Sequence, residues 1–355
     1  VGVSGSESRL DVGGDLDLGF DSGRTASLDV DGGTSFVGGS LKLGSGSSVF
    51  LRSGELSVGD LSRATGSSLL WTAGELAIRG SSGLTIGSGG VLGDNLSVDQ
   101  TAGQFLDVTG DLTVEAGAQL SLTGSALSTG RLVNDGQIVF TGGDQLIGDG
   151  GLLNRSNAQL SDVTVNGDYV NPAGAVTSID GTVTFAGDLS GGGAFVGTGL
   201  LSVTGHHQPG DSPARVSVEG DFEYAPGSMA TFELGGLDPG TEFDVLAAAG
   251  NVSLAGSLNV SLINGFLLGP GMNFRIIETG GLLSGQFDGL GEGDAVGTFG
   301  DEDLFISYTA GAGTDVELYT LTDPVPEPGV PLLIISASVL LGLRRARSGG
   351  LVEKR

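Results

Sequence analysis

The residues Val163-Thr164-Val165-Asn166-Gly167-Asp168 return twenty positions later as Val183-Thr184-Phe185-Ala186-Gly187-Asp188. A second pair, Gly54-Glu55-Leu56-Ser57-Val58 and Gly74-Glu75-Leu76-Ala77-Ile78, has the same offset of twenty. Each unit alternates apolar and polar residues and is flanked by Gly, Asp or Asn, as in a short strand next to a tight turn. A short strand cannot bury a face alone, whereas stacked coils cover one another. The repeats therefore predict a solenoid of roughly 20-residue coils.

Related units occur along the whole first part of the chain, at Gly39–Leu43, Asp111–Val114 and Leu201–Gly205. Their spacing resembles that of a right-handed parallel β-helix, an all-β fold. Residues 1–205 would then make ~10 coils, stacked at ~4.8 Å per strand. The alternative is a β-sandwich with coincidental repeats. Two repeat pairs with the same offset and the same pattern favour the solenoid.

The composition agrees with repeated strands and turns. Of the 355 residues, 68 are Gly, and aromatic residues make up only 6%, so large aromatic side chains cannot dominate the core. Hydrophobic residues still reach 39%, which excludes ordinary disorder. Cysteine is absent, and this excludes disulfides, thiolate catalysis and zinc sites made of cysteine.

The charge is strongly negative and unevenly distributed. The formal net charge is -27, but five of the 15 basic residues lie after residue 343, with one acid, Glu353. Residues 1–343 therefore carry 10 basic and 41 acidic residues. Such a surface repels nucleic acid, so we expect no nucleic-acid partner. It suits an exported surface protein, and it can collect divalent cations.

The part from residue 206 to residue 322 has an ordered series of strand-like segments. Pro209–Pro213 leads into Val216–Phe222, and the series continues with Met229–Gly236, Phe243–Leu246, Val252–Val260, Phe274–Ile277 and Gly285-Gln286-Phe287. From Pro209 to Phe287 this order resembles the passenger-associated repeat of autotransporters. It departs at its opening, where Asp211-Ser212-Pro213 replaces the usual Asn-Ser-Pro-Gly. The resemblance implies a late β-helix region that caps the solenoid.

The end of the chain carries a Pro-rich linker (residues 323–329), an apolar run (330–343) and a basic tail (344–355). The linker contains Pro326, Glu327 and Pro328, and the tail contains Arg344, Arg345 and Arg347. This arrangement resembles the PEP-CTERM sorting signal of exosortase substrates. We expect the run to form a short transmembrane sorting helix, although a stable span needs ~20 apolar residues. The arginines would hold its end in the cytoplasm. The alternative is a buried core helix with a basic cap.

The resemblance to PEP-CTERM proteins implies export in a Gram-negative bacterium, to the cell envelope, the cell surface or the extracellular matrix. It also implies an exosortase-type processing enzyme as partner, transient anchoring in the inner membrane and an association with extracellular polysaccharide. Val1-Gly2-Val3 opens directly into sequence typical of the body of the protein. We therefore expect a signal peptide to precede it.

The two histidines, His206 and His207, are adjacent in a segment rich in Gly and Pro. One of them could serve a Ser-His-Asp system, but no G-x-S-x-G elbow occurs in the chain. A metal site would need a carboxylate such as Asp211 to fold back onto the pair. We interpret the pair as a solvated turn.

The other candidate motifs also lack the context that their chemistry needs. Asp29-Val30-Asp31 and Asp301-Glu302-Asp303 resemble calcium ligands locally, but neither has the ordered set of six or more oxygens. Gly191–Gly197 lacks the Gly-Lys-Ser/Thr ending of a phosphate loop. We expect turn capping and surface charge from these residues. No catalytic, cofactor or metal site is predicted.

The sequence thus predicts a non-enzymatic structural protein of the cell surface or matrix. An adhesin for a specific glycan is one alternative. Another is a polysaccharide lyase or glycoside hydrolase, because parallel β-helices also carry such enzymes. Trp71 is the only Trp and Lys42 the only Lys before the tail, so the residues that usually grip sugar are scarce. No C-terminal barrel pattern follows, which argues against an autotransporter.

Overall fold

The computed structural model describes residues 1–19, 24–124, 127–145, 148, 150–210 and 213–322. Strands account for about 60% of the chain, and the described helical residues are confined to the 3-10 turn Gln100–Ala102. Up to residue 124 the strands are β1 (Gly2–Ser4), β2 (Arg9–Val12), β3 (Leu16–Leu18), β4 (Ser27–Leu43), β5 (Ser48–Arg63), β6 (Ser68–Trp71), β7 (Gly74–Ile78), β8 (Leu84–Ile86), β9 (Asn95–Asp99), β10 (Gln104–Val108), β11 (Leu112–Val114) and β12 (Gln119–Thr123).

The strands continue in the same order along the rest of the chain. Between residues 127 and 210 they are β13 (Leu127–Thr129), β14 (Leu132–Asn134), β15 (Gln137–Gln145), β16 (Leu152–Asn154), β17 (Asn157–Val165), β18 (Tyr169–Val170), β19 (Val176–Phe185), β20 (Leu189–Gly191), β21 (Ala194–Val196), β22 (Leu200–Val203) and β23 (His206–Pro209). After residue 213 they are β24 (Arg215–Val218), β25 (Asp221–Tyr224), β26 (Met229–Leu234), β27 (Val245–Ala248), β28 (Val252–Leu254), β29 (Ser257–Leu262), β30 (Asn273–Thr279), β31 (Leu283–Gly285), β32 (Ala295–Phe299), β33 (Glu302–Ala310) and β34 (Asp315–Thr320).

These strands form a parallel β-solenoid of about ten turns, with three sheets around one core. The first sheet has the order β1-β4-β5-β7-β10-β13, and the second runs from β8 through β11, β14, β16, β18, β20, β23 and β26 to β29. The third sheet contains β9, β12, β15, β17 and β19. From β19 it continues in one direction through β22, β25 and β28 to β31, and in the other through β21, β24, β27 and β30 to β34, β33 and β32. Because neighbouring strands are parallel, the β-sandwich alternative is excluded.

The sequence repeats become ladder rungs. Leu56 lies directly beside Leu76, and Val163 beside Val183, in parallel registers offset by twenty residues. All four side chains are buried. This confirms the predicted inward ladder, whose burial of apolar surface provides the main stabilisation of a solenoid. The offset varies along the chain: it is thirty where Gly74 pairs with Gln104 and again where Arg215 pairs with Val245, because longer connections join the strands there.

The bend between the first and second strand segments of a coil is made by residues with a left-handed backbone conformation. Gly142, Asp162 and Gly181 occupy this bend in β15, β17 and β19, each with a positive φ. Asp162 adopts φ 50°, a region that asparagine and aspartate tolerate better than other residues with a side chain. Its carboxylate accepts the backbone N–H of Thr182 in the next coil at 3.0 Å. The strand can therefore turn there without losing its bond to the next coil.

An antiparallel unit follows the last parallel layers. β30, β34, β33 and β32 pair antiparallel, and Leu304, Ile306 and Leu318 bury their side chains completely. The Tyr308 hydroxyl accepts the backbone N–H of Phe287 and donates to the carbonyl of Leu290 at 2.9 Å. Phe287 in turn packs against Tyr224, with ring centroids 5.8 Å apart. These contacts join the antiparallel strands to the core, and residues 1–321 form one compact unit.

The sequence pattern predicts one boundary at residue 205 and another at the start of the C-terminal linker. Parallel strands pair across residue 205, since β20 pairs with β23 and β23 with β26. The linker 323–329, the apolar run 330–343 and the tail 344–355 lie outside the described residues. Within the described part, no helix is both long and apolar enough to cross a membrane.

Candidate functional site

The outer surface of the third sheet carries a face of amide and hydroxyl side chains. Strand alternation turns Leu120, Phe140 and Leu160 inward and their sequence neighbours outward. Parallel pairing then aligns the outward residues of five successive coils in rows. The first row contains Asn95, Gln119, Gln137 and Asn157; the second Ser97, Ser121, Gln159 and Ser178; the third Thr123, Thr141 and Ser161. We call these eleven residues the amide–hydroxyl face.

A cleft of about 670 Å³ lies over the C-terminal part of this face. Gln159, Ser161 and Ser178 line it, and the corner at Gly197 and Thr198 also contributes to its lining. The Gln159 and Ser178 side chains take part in none of the hydrogen bonds among the described residues. Their donors and acceptors therefore remain available to a ligand in the cleft.

Carboxylates mark two margins of the face. Asp180 lines the cleft, and its carboxylate accepts the backbone N–H of Gly181 at 3.1 Å. Asp99 caps the 3-10 turn and accepts the hydroxyl of Thr101 at 2.6 Å. This hydrogen bond, the largest of the effects on Asp99, lowers the pKa of its carboxyl. Both acids are thus engaged locally, and the rows between them are uncharged.

A second cleft, of about 520 Å³, lies on the same sheet near the antiparallel strands. It contains two arginines, but each one is paired. Arg215 binds Glu278 through both guanidinium Nη atoms, and Arg275 Nε lies 3.5 Å from Asp315 Oδ2. The hydrogen bond from Arg215 lowers the pKa of the Glu278 carboxyl. With Glu219 also in the lining, this cleft offers no surplus positive charge to an anion.

The histidine pair is not a solvated turn, so that interpretation was wrong. His206–Pro209 is strand β23, and alternation sends His207 into the core, where its Nδ1 lies 2.7 Å from the Tyr224 hydroxyl. Burial lowers the pKa of His207 to about 3, so the ring is neutral. His206 points outward and its Nε2 lies 2.9 Å from Thr231 Oγ1. The partner considered for a metal site, Asp211, lies outside the described residues.

The candidate calcium segments are engaged in ordinary surface contacts. Asp29 pairs with Arg52 at 3.2 Å, and Asp31 accepts the Ser53 hydroxyl at 3.0 Å. Asp303 accepts the Thr298 hydroxyl at 2.6 Å. In the part of the chain that the structure describes, no three His, Asp or Glu side chains come together as metal ligands. Gly191 ends strand β20, and Ala194–Val196 of the same glycine-rich segment forms β21.

Many other acids bond one coil to the next. Carboxylates at the corners accept backbone N–H groups from the following coil: Asp15 from Ser40, Asp168 from Asp188 and Asp221 from Asn251. Corner backbone groups have no strand partner of their own, so a carboxylate is a strong acceptor for them. Part of the acidity of the chain is therefore structural.

Sequence reasoning missed the amide–hydroxyl face, although a signal was present. Gln119-Leu120-Ser121-Leu122-Thr123, Gln137-Ile138-Val139-Phe140-Thr141 and Asn157-Ala158-Gln159-Leu160-Ser161 share an outward pattern of amide and hydroxyl residues. Aligning them requires the coil register, which is set by corners of unequal length. The sorting residues Pro326, Glu327, Pro328, Arg344, Arg345 and Arg347 lie outside the described residues.

Comparison with known proteins adds no identification: the chain matches no protein-family model, and no curated protein matches it.

Proposed function

We propose that this chain is an exported, non-enzymatic structural protein of the cell surface or extracellular matrix that associates with exopolysaccharide. The observation that carries the proposal is the continuous parallel ladder, which holds outward side chains in straight rows over successive coils. Hydrogen bonds between coils, including those made by corner carboxylates, stiffen such a ladder. A stiff surface with repeated contacts suits a polymer better than a single small substrate.

The finer features belong to the same proposal. The coil is right-handed, the part from residue 206 to residue 322 acts like the capping region of an autotransporter passenger, and residues 330–343 form a transient membrane helix. An exosortase-type enzyme recognises Pro326-Glu327-Pro328, while Arg344, Arg345 and Arg347 keep the tail in the cytoplasm of a Gram-negative cell. The sequence pattern of residues 323–355 supports these features.

Processing tests this proposal directly. We expect the protein released from the cell surface to lack Arg344–Arg355, because cleavage near the PEP motif removes the helix and the tail. The measurement is the intact mass of the released protein, compared with that of a Glu327→Ala variant, which should stay unprocessed. A released form that still carries the tail would contradict the sorting signal.

An adhesin for a defined glycan is the second candidate, and the cleft over the amide–hydroxyl face favours it. An adhesin of this kind would bind a short oligosaccharide as tightly as a long polymer. A matrix protein that contacts its polymer over several coils would bind the longer chain more tightly. A glycan array with oligosaccharides of graded length separates the two, and a sugar-release assay tests the enzyme alternative.

A further inference from the structure

The amide–hydroxyl face is a neutral surface on a strongly acidic chain. Eleven outward positions between residues 95 and 178 carry amides or hydroxyls, whereas the whole chain has a net charge of -27. Val139 and Val176 interrupt the rows without adding charge, and Asp99 and Asp180 stand at the two ends of the third row, so the uncharged part of the face lies between them. Elsewhere on the outer surface, charged residues are stacked, as in the pairing of Glu55 with Glu75.

The chemistry of the face restricts its ligand. Amide and hydroxyl groups both donate and accept hydrogen bonds, so they match a ligand that is itself rich in hydroxyls. An apolar ligand would bury these groups without partners, which is costly. A polyanion would be repelled by the net charge of the chain, and a polycation would find more favourable sites among the exposed carboxylates. A neutral carbohydrate is therefore the class of ligand that fits the face.

The geometry of the face restricts the ligand further. Its rows run along the stacking direction, perpendicular to the strands, and the same side-chain types recur at ~4.8 Å. This repeat is similar to the length of one sugar residue in an extended chain. A polysaccharide along the rows can therefore make similar contacts at each coil. In the cleft, Gln159 and Ser178 lie one rung apart, and the corner at Gly197 and Thr198 adds to its lining.

We propose that this cleft binds one chain of a neutral, extended polysaccharide, lying along the stack and hydrogen-bonded by Gln159, Ser161 and Ser178. This proposal rests on the proposed function and specifies the class of polymer that the surface protein binds. The acidic surface on either side excludes uronic-acid polymers. The carboxylate in the lining, Asp180, accepts the backbone N–H of Gly181, and its negative charge also disfavours a polyanion.

The test is native affinity electrophoresis of the full chain in gels that contain one polymer each. The probes are hydroxyethylcellulose as a neutral extended glucan, dextran as a neutral flexible glucan, and alginate as a polyuronate. We expect retardation by hydroxyethylcellulose, weaker retardation by dextran and none by alginate. Retardation by alginate alone, or by none of the three polymers, would overturn the proposal.

Two matched variants locate the site. Ser178→Tyr fills the cleft, whereas Ser190→Tyr places the same side chain on the outer face of β20 in the same coil. We expect Ser178→Tyr to raise the Kd for hydroxyethylcellulose about tenfold or more, and Ser190→Tyr to leave it unchanged. Equal binding by the two variants would refute the site. Gln159→Ala should also raise the Kd. Because it removes an outward amide without adding bulk, this result does not depend on whether Ser178→Tyr folds.

The length of the glucan gives an independent readout. Because contacts repeat at successive coils, cello-oligosaccharides should bind more tightly as they grow from two to six sugars. Affinity that does not change with length would contradict a polymer along the rows. The test of the proposed function is separate, since C-terminal processing is measured by mass and does not depend on any glucan.

Discussion

Asn134, Asn154 and Asn171 form a buried row of amides at one corner of three successive coils. Asn134 Nδ2 donates to Asn154 Oδ1 at 2.8 Å, and Asn154 Nδ2 donates to Asn171 Oδ1 at 3.0 Å. The side chains also bond the corner backbone, since Asn134 Nδ2 donates to the carbonyl of Asn157 at 2.9 Å. The central amide, Asn154, therefore keeps its bonds in the row only while both neighbours are present, and the row fixes the register of these coils.

We expect Asn154→Ala to lower the free energy of unfolding by about 2–4 kcal/mol, since it leaves partners on both sides without a bond in a buried site. Urea unfolding followed by circular dichroism measures this. Asn157→Ala is the control, because its side chain is exposed on the adjacent strand, and its effect should stay within about 0.5 kcal/mol. Equal losses in the two variants would show that the buried row does not carry the stability.

At the scale of elements, Asp244 links two sheets. Its Oδ1 accepts the backbone N–H of Ala214, next to β24, at 2.9 Å, and its Oδ2 accepts that of Glu233 in β26 at 2.8 Å. Burial raises the pKa of Asp244 to about 7, although both backbone bonds act to lower it. The neighbouring charge of Glu233 also raises this pKa, and Tyr224 is a further titratable neighbour.

The raised pKa of Asp244 predicts a loss of stability with rising pH. Between about pH 4 and pH 7 the folded state holds a proton on Asp244 that the unfolded state has released. The free energy of unfolding therefore falls across this window, by at most about 1.4 kcal/mol per pH unit, and then levels off. His207 acts in the opposite direction below pH 6.5, because its pKa is lowered to about 3 by burial.

A comparison of variants separates the two groups. We expect Asp244→Asn to gain stability relative to the parent protein as the pH rises from 4 to 7, measured by urea unfolding at each pH. Asp238→Asn, in the exposed part of the same loop, should keep a constant difference from the parent. If the Asp244→Asn difference is also constant, the carboxyl does not titrate in this window.

At the scale of the whole molecule, the acidic residues act as a group. Glu55 and Glu75 lie on neighbouring rungs, and Asp107 adds to them. Burial, followed by these two like charges, raises the pKa of the Glu75 carboxyl. Arg79 bridges Glu75 and Asp107, yet ten basic residues cannot neutralise the 41 acidic residues before the tail. The folded state therefore carries self-repulsion that dissolved ions can screen.

We expect NaCl, MgCl₂ and CaCl₂ to raise the melting temperature gradually, with the two divalent salts alike and a gain of about 1–2 °C for each 1 kcal/mol recovered. The measurement is a thermal melt at increasing concentrations of each salt. A steep, saturable shift with calcium alone at micromolar concentration would reveal a specific site. Asp29→Asn and Asp303→Asn would then show which segment holds it.

The repeated pattern of apolar residues is enough to predict the all-β class and the stacking of coils. Leu56 and Leu76, like Val163 and Val183, repeat at the offset of the coil. Because a short strand cannot bury its apolar side chains alone, such a repeat favours stacked coils. The locations of His207, the amide row and the amide–hydroxyl face, in contrast, follow only from the folded chain. Those locations depend on the number of residues per coil, which varies: bonded residues of successive coils are 17 positions apart at Asn154 and Asn171 and 31 apart at Asn251 and Leu282. A change in coil length alters which residues become neighbours without altering the local alternation. Alternation shows which residues face outward, but it cannot show which outward residues of distant coils become neighbours.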